Sequence, residues 1–157
     1  MKIYHLKRIQ KLPLTLEEAW TFFSSPMNLS KITPAEMGFR ILYISGGDQA
    51  YAGQIICYKI KILPGISVHW VTEITQVKHQ QYFIDEQRFG PYALWHHQHH
   101  FKAVDGGIQM TDEVNYAISL GVLGRLAHML FVGRQVSDIF DHRKKVLEAF
   151  FPPKRDQ

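Results

Sequence analysis

The sequence predicts an α+β domain in which an antiparallel sheet packs against one long C-terminal helix. Three observations support this prediction: a strand followed by two short helices near the N-terminus, a series of alternating stretches separated by turn signals, and a helical period near the end of the chain. The chain has 157 residues, of which 46% are hydrophobic. This length suits one domain that buries about 68–70% of its unfolded surface, so we expect residues 1–157 to form a single domain.

The N-terminal part predicts one strand and two helices. Ile3–Leu12 alternates polar and apolar residues, which is typical of a strand. Thr15 and Glu18 have the spacing of a capping box, in which each side chain accepts a hydrogen bond from the other residue's backbone N–H. We therefore expect a helix to begin there and to run through Phe23. A second short helix is expected from Met27 to about Ile32, before a proline that disfavours further helix.

An antiparallel meander is predicted to follow. The expected strands are Gly38–Ile44, Gly53–Leu63, Ser67–Lys78, Gln81–Phe89, Ala93–Val104 and Gly107–Leu120. Turn residues such as Pro64–Gly65 and Asp105–Gly106 separate several of them, and the second pair is a strong hairpin signal. With the first strand, the sheet would have six to seven strands.

A long helix is predicted over Val122–Phe151, where two prolines end it. Its apolar residues with a near-helical period are Leu126, Met129, Leu130, Val136, Phe140, Leu147 and Phe151. Gly133 is unfavourable within a helix by about 1 kcal/mol relative to alanine. Such a glycine either permits close packing on the sheet or opens room for a ligand.

The stretch from Phe83 to Phe101 is the most informative part of the chain. Side chains alternate between the two faces of a strand, so Trp95, His97 and His99 share one face. His96, Gln98 and His100 fall on the opposite face. We expect His97 and His99 to be less exposed than His96 and His100, because a slip of one residue would expel the aromatic side chains into water.

The same alternation predicts which side chains point toward the helix. The inward sets are Phe39, Ile41 and Tyr43; Ile56, Tyr58, Ile60 and Ile62; Val68, Trp70, Thr72 and Ile74; Phe83, Asp85 and Gln87; Trp95, His97, His99 and Phe101; and Asp112, Val114 and Tyr116. From the helix we expect Leu126, Met129, Leu130, Gly133, Val136 and Phe140. Most of the aliphatic members are expected to be ordinary core. Buried polar members need hydrogen-bond partners, and a ligand pocket supplies one reason for their presence.

Four short patterns carry a family resemblance. They are Phe83-x-Asp85-x-Gln87, Gly90-Pro91-Tyr92, Trp95-x-His97-x-His99-x-Phe101 and Asp112-x-Val114-x-Tyr116. The chain thereby resembles bacterial ligand-binding proteins of the SRPBCC superfamily, which includes START lipid-binding domains, the birch-pollen-allergen proteins and the polyketide cyclases. The resemblance implies a helix-grip fold, in which a curved antiparallel sheet wraps around a long C-terminal helix and leaves a cavity between them.

Binding of a small hydrophobic or amphipathic molecule in this cavity is the expected function, the molecule being lipid-like, aromatic or polyketide-like. The candidate ligand-binding residues are Tyr58, Trp70, Phe83, Asp85, Gln87, Trp95, His97, His99, Phe101, Asp112, Tyr116, Met129, Leu130 and Gly133. One alternative is a cyclase, dehydratase or hydrolase in which His97 or His99 is a general base tuned by an aspartate. Another is an interaction domain whose own side chains fill the cavity. No nucleophile elbow or phosphate loop accompanies the histidines.

A metal site is a further alternative at the two histidines. His-x-His on a strand is a known ligand geometry, and Asp85 or Asp112 would supply a carboxylate. The sequence has no third histidine at a diagnostic spacing. We therefore expect a hydrogen-bonded network of aspartate, histidine and ligand, with no metal and no cofactor.

Charge and composition limit the partners. The net charge is +4 and the isoelectric point about 9.2, but the basic residues are scattered and are not interleaved with aromatics, so nucleic-acid binding is not expected. The basic run Arg143–Lys145 is explained as a solvated group that complements the dipole at the end of the last helix. No apolar run is long enough to insert into a membrane, and the N-terminus lacks a signal-peptide core. The single cysteine, Cys57, suits the cytoplasm.

Overall fold

The sheet has the element order that the sequence predicts. In this computed structural model residues 1–153 are described, and they form seven antiparallel strands in the order β1-β7-β6-β5-β4-β3-β2. The strands are β1 (Tyr4–Leu12), β2 (Arg40–Ile44), β3 (Gln54–Leu63), β4 (Ile66–Lys78), β5 (Tyr82–Phe89), β6 (Leu94–Val104) and β7 (Gly107–Ala117). The last four residues of the expected domain, 154–157, lie outside the described part of the chain.

Short helices connect β1 to β2. They are α1 (Leu16–Phe23), a 3₁₀ turn (Pro26–Asn28), α2 (Leu29–Ile32) and a second 3₁₀ turn (Ala35–Met37). The predicted capping box of α1 is present: the Thr15 hydroxyl accepts from the Glu18 N–H at 3.2 Å, and Glu18 Oε2 accepts from the Thr15 N–H at 2.7 Å. Both predicted helices after the first strand are confirmed.

The predicted tight turns are also confirmed. Leu63 pairs with Ile66, and Val104 pairs with Gly107, so two-residue loops join β3 to β4 and β6 to β7. β7 ends at Ala117, three residues earlier than expected.

The C-terminal segment is helical from residue 121 to residue 150, as predicted. It consists of α3 (Gly121–Ala127), a π-helical segment (His128–Val132) and α4 (Gly133–Phe150). The buried side chains of α4 are Val136, Phe140, Arg143 and Leu147, which recur every three or four residues along one face. That face packs on the concave side of the sheet.

The π segment corrects the expected position of three apolar residues. Leu126, Met129 and Leu130 are 47%, 73% and 67% exposed instead of facing the sheet. A π turn contains an extra residue, so the buried stripe shifts by one position upstream of it. Gly124 and His128 continue the stripe, and Leu126, Met129 and Leu130 therefore point to solvent.

A bulge corrects the expected orientation of Tyr43. The register between β2 and β3 shifts between Ile41 and Tyr43, so Ile41 lies opposite Tyr58 and Tyr43 lies opposite Cys57. Tyr43 is 57% exposed as a result. On β3 and β4 the side chains predicted to point inward do so. Those that are fully buried are Ile56, Tyr58, Ile60, Trp70, Thr72 and Ile74.

The main core lies between the concave face of the sheet, α1 and α4. Trp20 and Phe23 of α1 contact Phe101 of β6, and Leu147 of α4 belongs to the same cluster. This packing holds α4 against the concave face of the sheet and thereby sets the position of the candidate site. No helix within residues 1–153 has the length and apolarity needed to span a membrane.

The packing of α4 can be tested with Leu147→Ala. Leu147 is fully buried, so truncation should lower the free energy of unfolding by about 2–5 kcal/mol through lost transfer energy and a cavity. The neighbouring Lys145 is exposed, and Lys145→Ala should change it by less than about 0.5 kcal/mol. Urea denaturation measures both, and equal effects would contradict the observed orientation of the helix.

Candidate ligand-binding site

The pairing of β5 with β6 brings an aspartate and two histidines to the concave face. Asp85 lies opposite His97, and Phe83 lies opposite His99. His97 and His99 are 6% and 5% exposed, whereas His96 and His100 are only partly buried. The predicted order of exposure is therefore confirmed.

The pairing of β6 with β7 adds a second aspartate. His99 lies opposite Asp112, which is buried. His97 Nε2 is 3.0 Å from Asp112 Oδ1, and His99 Nε2 is 2.7 Å from Asp85 Oδ2. Two further contacts are weaker. His97 Nδ1 lies 3.4 Å from Asp85 Oδ2, and His99 Nδ1 lies 3.0 Å from Asp112 Oδ1 but without the angles of a hydrogen bond. The two imidazoles and two carboxylates thus alternate around a closed polar cluster.

Arg143 of α4 approaches this polar cluster from the helix side. Its Nη1 is 3.4 Å from Asp112 Oδ1, and its guanidinium carbon lies 5.7 Å from the centre of the Phe23 ring. Arg143 is only 8% exposed, so its assignment to a solvated basic run was wrong. The sequence contains a signal for this position, because Arg143 falls on the buried stripe between Phe140 and Leu147.

The environment keeps both carboxylates ionised. Burial would raise the pKa of Asp112, but the charge of Arg143, the hydrogen bond from His97 and the His99 ring 3.0 Å away hold that pKa well below its usual range. Burial opposes ionisation of Asp85 in the same way, and the two nearby histidines outweigh it and lower the pKa of Asp85.

The pKa values of the two histidines shift in opposite directions. Burial lowers the pKa of His97, and the neighbouring His99 lowers it further against the pull of the aspartates. Burial alone would also lower the pKa of His99, but the contacts of His99 with both carboxylates outweigh burial and raise that pKa. These directions place a proton on His99 in preference to His97. In the state with His99 protonated and His97 neutral, two carboxylates are balanced by the guanidinium and one imidazolium.

A cavity of about 190 Å³ lies between the sheet and α4, and the cluster forms part of its wall. Seven of the predicted site residues line it: Tyr58, Trp70, Phe83, Asp85, Trp95, His97 and His99. The lining is mainly apolar, and its carboxylate, imidazole and guanidinium groups all belong to the cluster.

Four predicted site residues do not line the cavity. Asp112 supports the two histidines and Arg143 from the second layer. The Gln87 side chain bonds the backbone of Tyr92 in the turn after β5. Phe101 packs in the core with Phe23, and the Tyr116 hydroxyl lies 2.8 Å from His128 Nε2.

Three predicted helix residues are not in the lining. Met129 and Leu130 point to solvent because of the π segment. Gly133 lies against the His128 side chain, where an added Cβ would be 2.8 Å from His128 Cε1. The glycine therefore permits close packing instead of opening the cavity.

Several lining residues were missed. Gln135, Ile139 and Arg143 come from α4, and Phe22, Phe23 and Met37 come from the helical connection after β1. Tyr92 also lines the cavity and lies in the Gly90-Pro91-Tyr92 pattern that carried the family resemblance. The residues from the connection could not be assigned from strand alternation, since they are not in strands.

Asp85, His97 and His99 could also hold a metal ion. One ligand atom from each lies within 4.8 Å of the others. In the observed arrangement, however, the histidine nitrogens face carboxylates and Arg143 supplies a further positive charge. A hydrogen-bonded network accounts for these contacts and remains our interpretation of the cluster.

Comparisons with known proteins identify the fold. No protein-family model matches the sequence, and no curated protein matches it significantly. Protein CV1439 from Chromobacterium violaceum is 13% identical with a TM-score of 0.71, over 96% of this chain and 98% of that chain. Major latex-like protein 151 from Panax ginseng is 13% identical with a TM-score of 0.69, over 96% and 99% of the two chains. The di-domain ARO/CYC StfQ from the steffimycin biosynthetic pathway is 11% identical with a TM-score of 0.69, over 95% of this chain and 51% of that chain.

These similarities confirm the fold expected from the sequence. The seven-stranded antiparallel sheet, the short helices after β1 and the long C-terminal helix form the helix-grip fold, which these structures share. At these identities the likeness concerns the fold alone, so the function is argued from the cavity itself.

The pairing of Asp112 with Arg143 and the histidines can be tested with Asp112→Asn. Loss of the carboxylate leaves a buried guanidinium without its counter-charge, which should lower the free energy of unfolding by about 3–5 kcal/mol. The control is Asp141→Asn, which removes an exposed pair with Arg8 and should cost no more than about 1 kcal/mol. Chemical denaturation at neutral pH compares the two, and similar losses would show that the buried cluster is not charged.

The opposite shifts of the histidines predict opposite effects of pH. Because the pKa of His99 is raised on folding, its stabilising contribution is complete below the ordinary value of 6.5 and is lost as pH rises through its folded pKa. Because the pKa of His97 is lowered, its contribution is complete above 6.5 and is lost as pH falls toward its folded pKa. Side-chain ¹⁵N NMR should show His99 protonated at pH values where His97 is neutral. The reverse order would refute this charge assignment.

Proposed function

We propose that the protein binds a small hydrophobic or amphipathic molecule, of a lipid-like, aromatic or polyketide-like kind, in the cavity between the sheet and α4. The observation that carries this proposal is the convergence of a buried cluster of ionisable side chains on one wall of a mainly apolar cavity. Ligand pockets commonly combine apolar walls with a few polar groups that fix orientation. The polar end of the ligand would therefore face Asp85, His97, His99 and Arg143.

Aromatic side chains make up much of the apolar wall. The rings of Tyr58 and Trp70 are stacked with centres 5.8 Å apart, and Trp95 lies edge-on to Trp70 at 5.3 Å. Tyr92 packs against Trp95 at 4.8 Å. These rings offer flat apolar surface to a ligand, and a cavity of about 190 Å³ remains among them. An interaction domain with a cavity filled by its own side chains agrees less well with that volume.

A polyketide-like molecule is one of the proposed ligand classes, and one structural neighbour, the di-domain ARO/CYC StfQ, comes from a biosynthetic pathway. Each other ligand class remains compatible with the apolar wall. We place this function in the cytoplasm, which the single cysteine suits, and without insertion into a membrane.

An acid–base enzyme is the second candidate. His97 lines the cavity, and its Nε2 is 3.0 Å from Asp112 Oδ1, which is the arrangement that orients a catalytic imidazole. The lowered pKa of His97 keeps it neutral and able to accept a proton near neutral pH. In an enzyme, His97→Ala would abolish turnover while binding persists, whereas a binding protein shows no turnover in the unmodified form.

Occupation of the cavity can be tested with a bulky substitution on α4. Ile139 lines the cavity and is partly buried, so Ile139→Trp should fill the space and weaken binding of the neutral fluorescent probe N-phenyl-1-naphthylamine at least tenfold. Lys145→Trp adds the same side chain at an exposed position of the same helix and should leave affinity unchanged. Fluorescence titration measures both, together with native mass spectrometry of freshly purified protein for a retained molecule. Absence of probe binding by the unmodified protein would contradict the proposed function.

A further inference from the structure

We propose that the ligand is an amphipathic or aromatic acid, whose carboxylate docks on Arg143 and whose binding is accompanied by protonation of His97. This inference rests on the proposed function and specifies the ligand class and the chemistry of its polar end. Three observations support it: the hydrogen bonds that Arg143 lacks, the type of unpartnered atoms along the cavity wall, and the charge balance of the cluster.

Arg143 has more donors than the described residues satisfy. It is 8% exposed and lines the cavity, yet it makes no hydrogen bond to another described residue. Its nearest charged contact is Asp112 Oδ1, 3.4 Å from Nη1. A guanidinium carries five N–H donors and is costly to bury without partners. A carboxylate is the group that accepts two of these donors side by side.

Trp70 supplies a second unpartnered donor among the lining residues. Among described residues, the buried polar side-chain atoms without a partner are Gln54 Oε1, Trp70 Nε1, His99 Nδ1 and Arg143 Nε. Gln54 is not part of the cavity lining, whereas the other three residues are. Trp70 Nε1 is a donor, whereas His99 Nδ1 lies 3.0 Å from Asp112 Oδ1 and faces that carboxylate. The lining therefore has unpartnered donors at Trp70 and Arg143, and a ligand group that accepts hydrogen bonds complements them.

The charge balance predicts that an entering anion changes the protonation of the cluster. The ionisable groups facing His97 are Asp85 on β5, His99 on β6 and Asp112 on β7, and Arg143 on α4 lies against Asp112. The α4 residue packed on the His97 ring is the apolar Phe140. Their charges cancel while His97 is neutral, so a ligand carboxylate would leave one negative charge in an apolar cavity. The negative charge of the ligand would offset the repulsion between protonated His99 and protonated His97. Protonation of His97 restores neutrality, and binding should therefore take up one proton.

Two ligands that differ only at the polar end test the proposal. Isothermal titration calorimetry would compare decanoic acid with decan-1-ol, with a competition format against N-phenyl-1-naphthylamine for the less soluble alcohol. At neutral pH the acid should bind at least tenfold more tightly. Titrations in buffers with different ionisation enthalpies should show uptake of about one proton for the acid and none for the alcohol. Affinity for the acid should then weaken by up to about tenfold per pH unit as pH rises.

Variants separate the roles of the two side chains. Arg143→Lys keeps the charge but not the planar pair of donors, and Arg143→Met keeps only the apolar stem, so both should reduce the preference for the acid. His97→Asn should retain part of that preference but abolish proton uptake. Arg134→Met is the matched control, because Arg134 lies on the same helix with an exposed side chain and should change neither quantity. Circular dichroism checks that each variant folds. If Arg143→Met does not fold, the variants Arg143→Lys and His97→Asn are sufficient for the test.

The outcomes distinguish this inference from the proposed function. Equal affinity for the acid and the alcohol would overturn the inference and leave ligand binding intact. A preference for the acid without proton uptake would overturn the role of His97. Failure of the acid, the alcohol and N-phenyl-1-naphthylamine to bind would contradict the proposed function itself.

Discussion

Two carboxylates buried in the sheet, Asp85 and Asp112, remain ionised because His99 and Arg143 lie against them. A buried charge without a partner is strongly destabilising, so these groups have to be brought together when the chain folds. Each comes from a different element: Asp85 from β5, His99 from β6, Asp112 from β7 and Arg143 from α4. The polar cluster therefore forms only when the strands pair in the observed register and the helix is rotated with Arg143 toward the sheet.

The fold meets this condition through ordinary packing. Alternation along β6 turns His97 and His99 inward together with Phe101, and a slip of one residue would exchange them for His96 and His100. On α4 the fully buried Leu147 lies one turn beyond Arg143, so the contact that anchors the helix also directs the guanidinium toward the sheet. The resulting cavity has a mainly apolar lining with its ionisable groups gathered in one cluster, which is the arrangement suited to an amphipathic molecule.

Much of this arrangement could be predicted from sequence, because it depends on local periods. The capping box at Thr15, the two-residue turns and the inward positions of Asp85 and His97 all follow from short-range rules. Tyr43 could not be placed in the same way, since a bulge in β2 has no clear signature in its residues. The exposure of Met129 depends on the π segment, which shifts the helical phase without changing the apolar pattern.

Arg143 was missed as a site residue for a different reason, since its place on the buried stripe of α4 could be read from the sequence. A charged residue on such a stripe is usually assigned to solvent, and only the partner on β7 shows why this one is buried. The pairing joins residues 31 positions apart in sequence, from Asp112 to Arg143, and no local rule connects them. Strand and helix periods can therefore place each of these residues on a face, but the charge balance emerges only from the assembled fold.

A crystal structure of the protein with a bound amphipathic molecule tests the central claim most directly. The claim is that the buried cluster of aspartates, histidines and Arg143 forms the polar end of the ligand cavity. The account predicts the polar atoms of the ligand within about 3 Å of Arg143, His97 or His99, with its apolar part against Trp70 and Trp95. A ligand bound with its polar end at the opposite side of the cavity, away from the cluster, would contradict it.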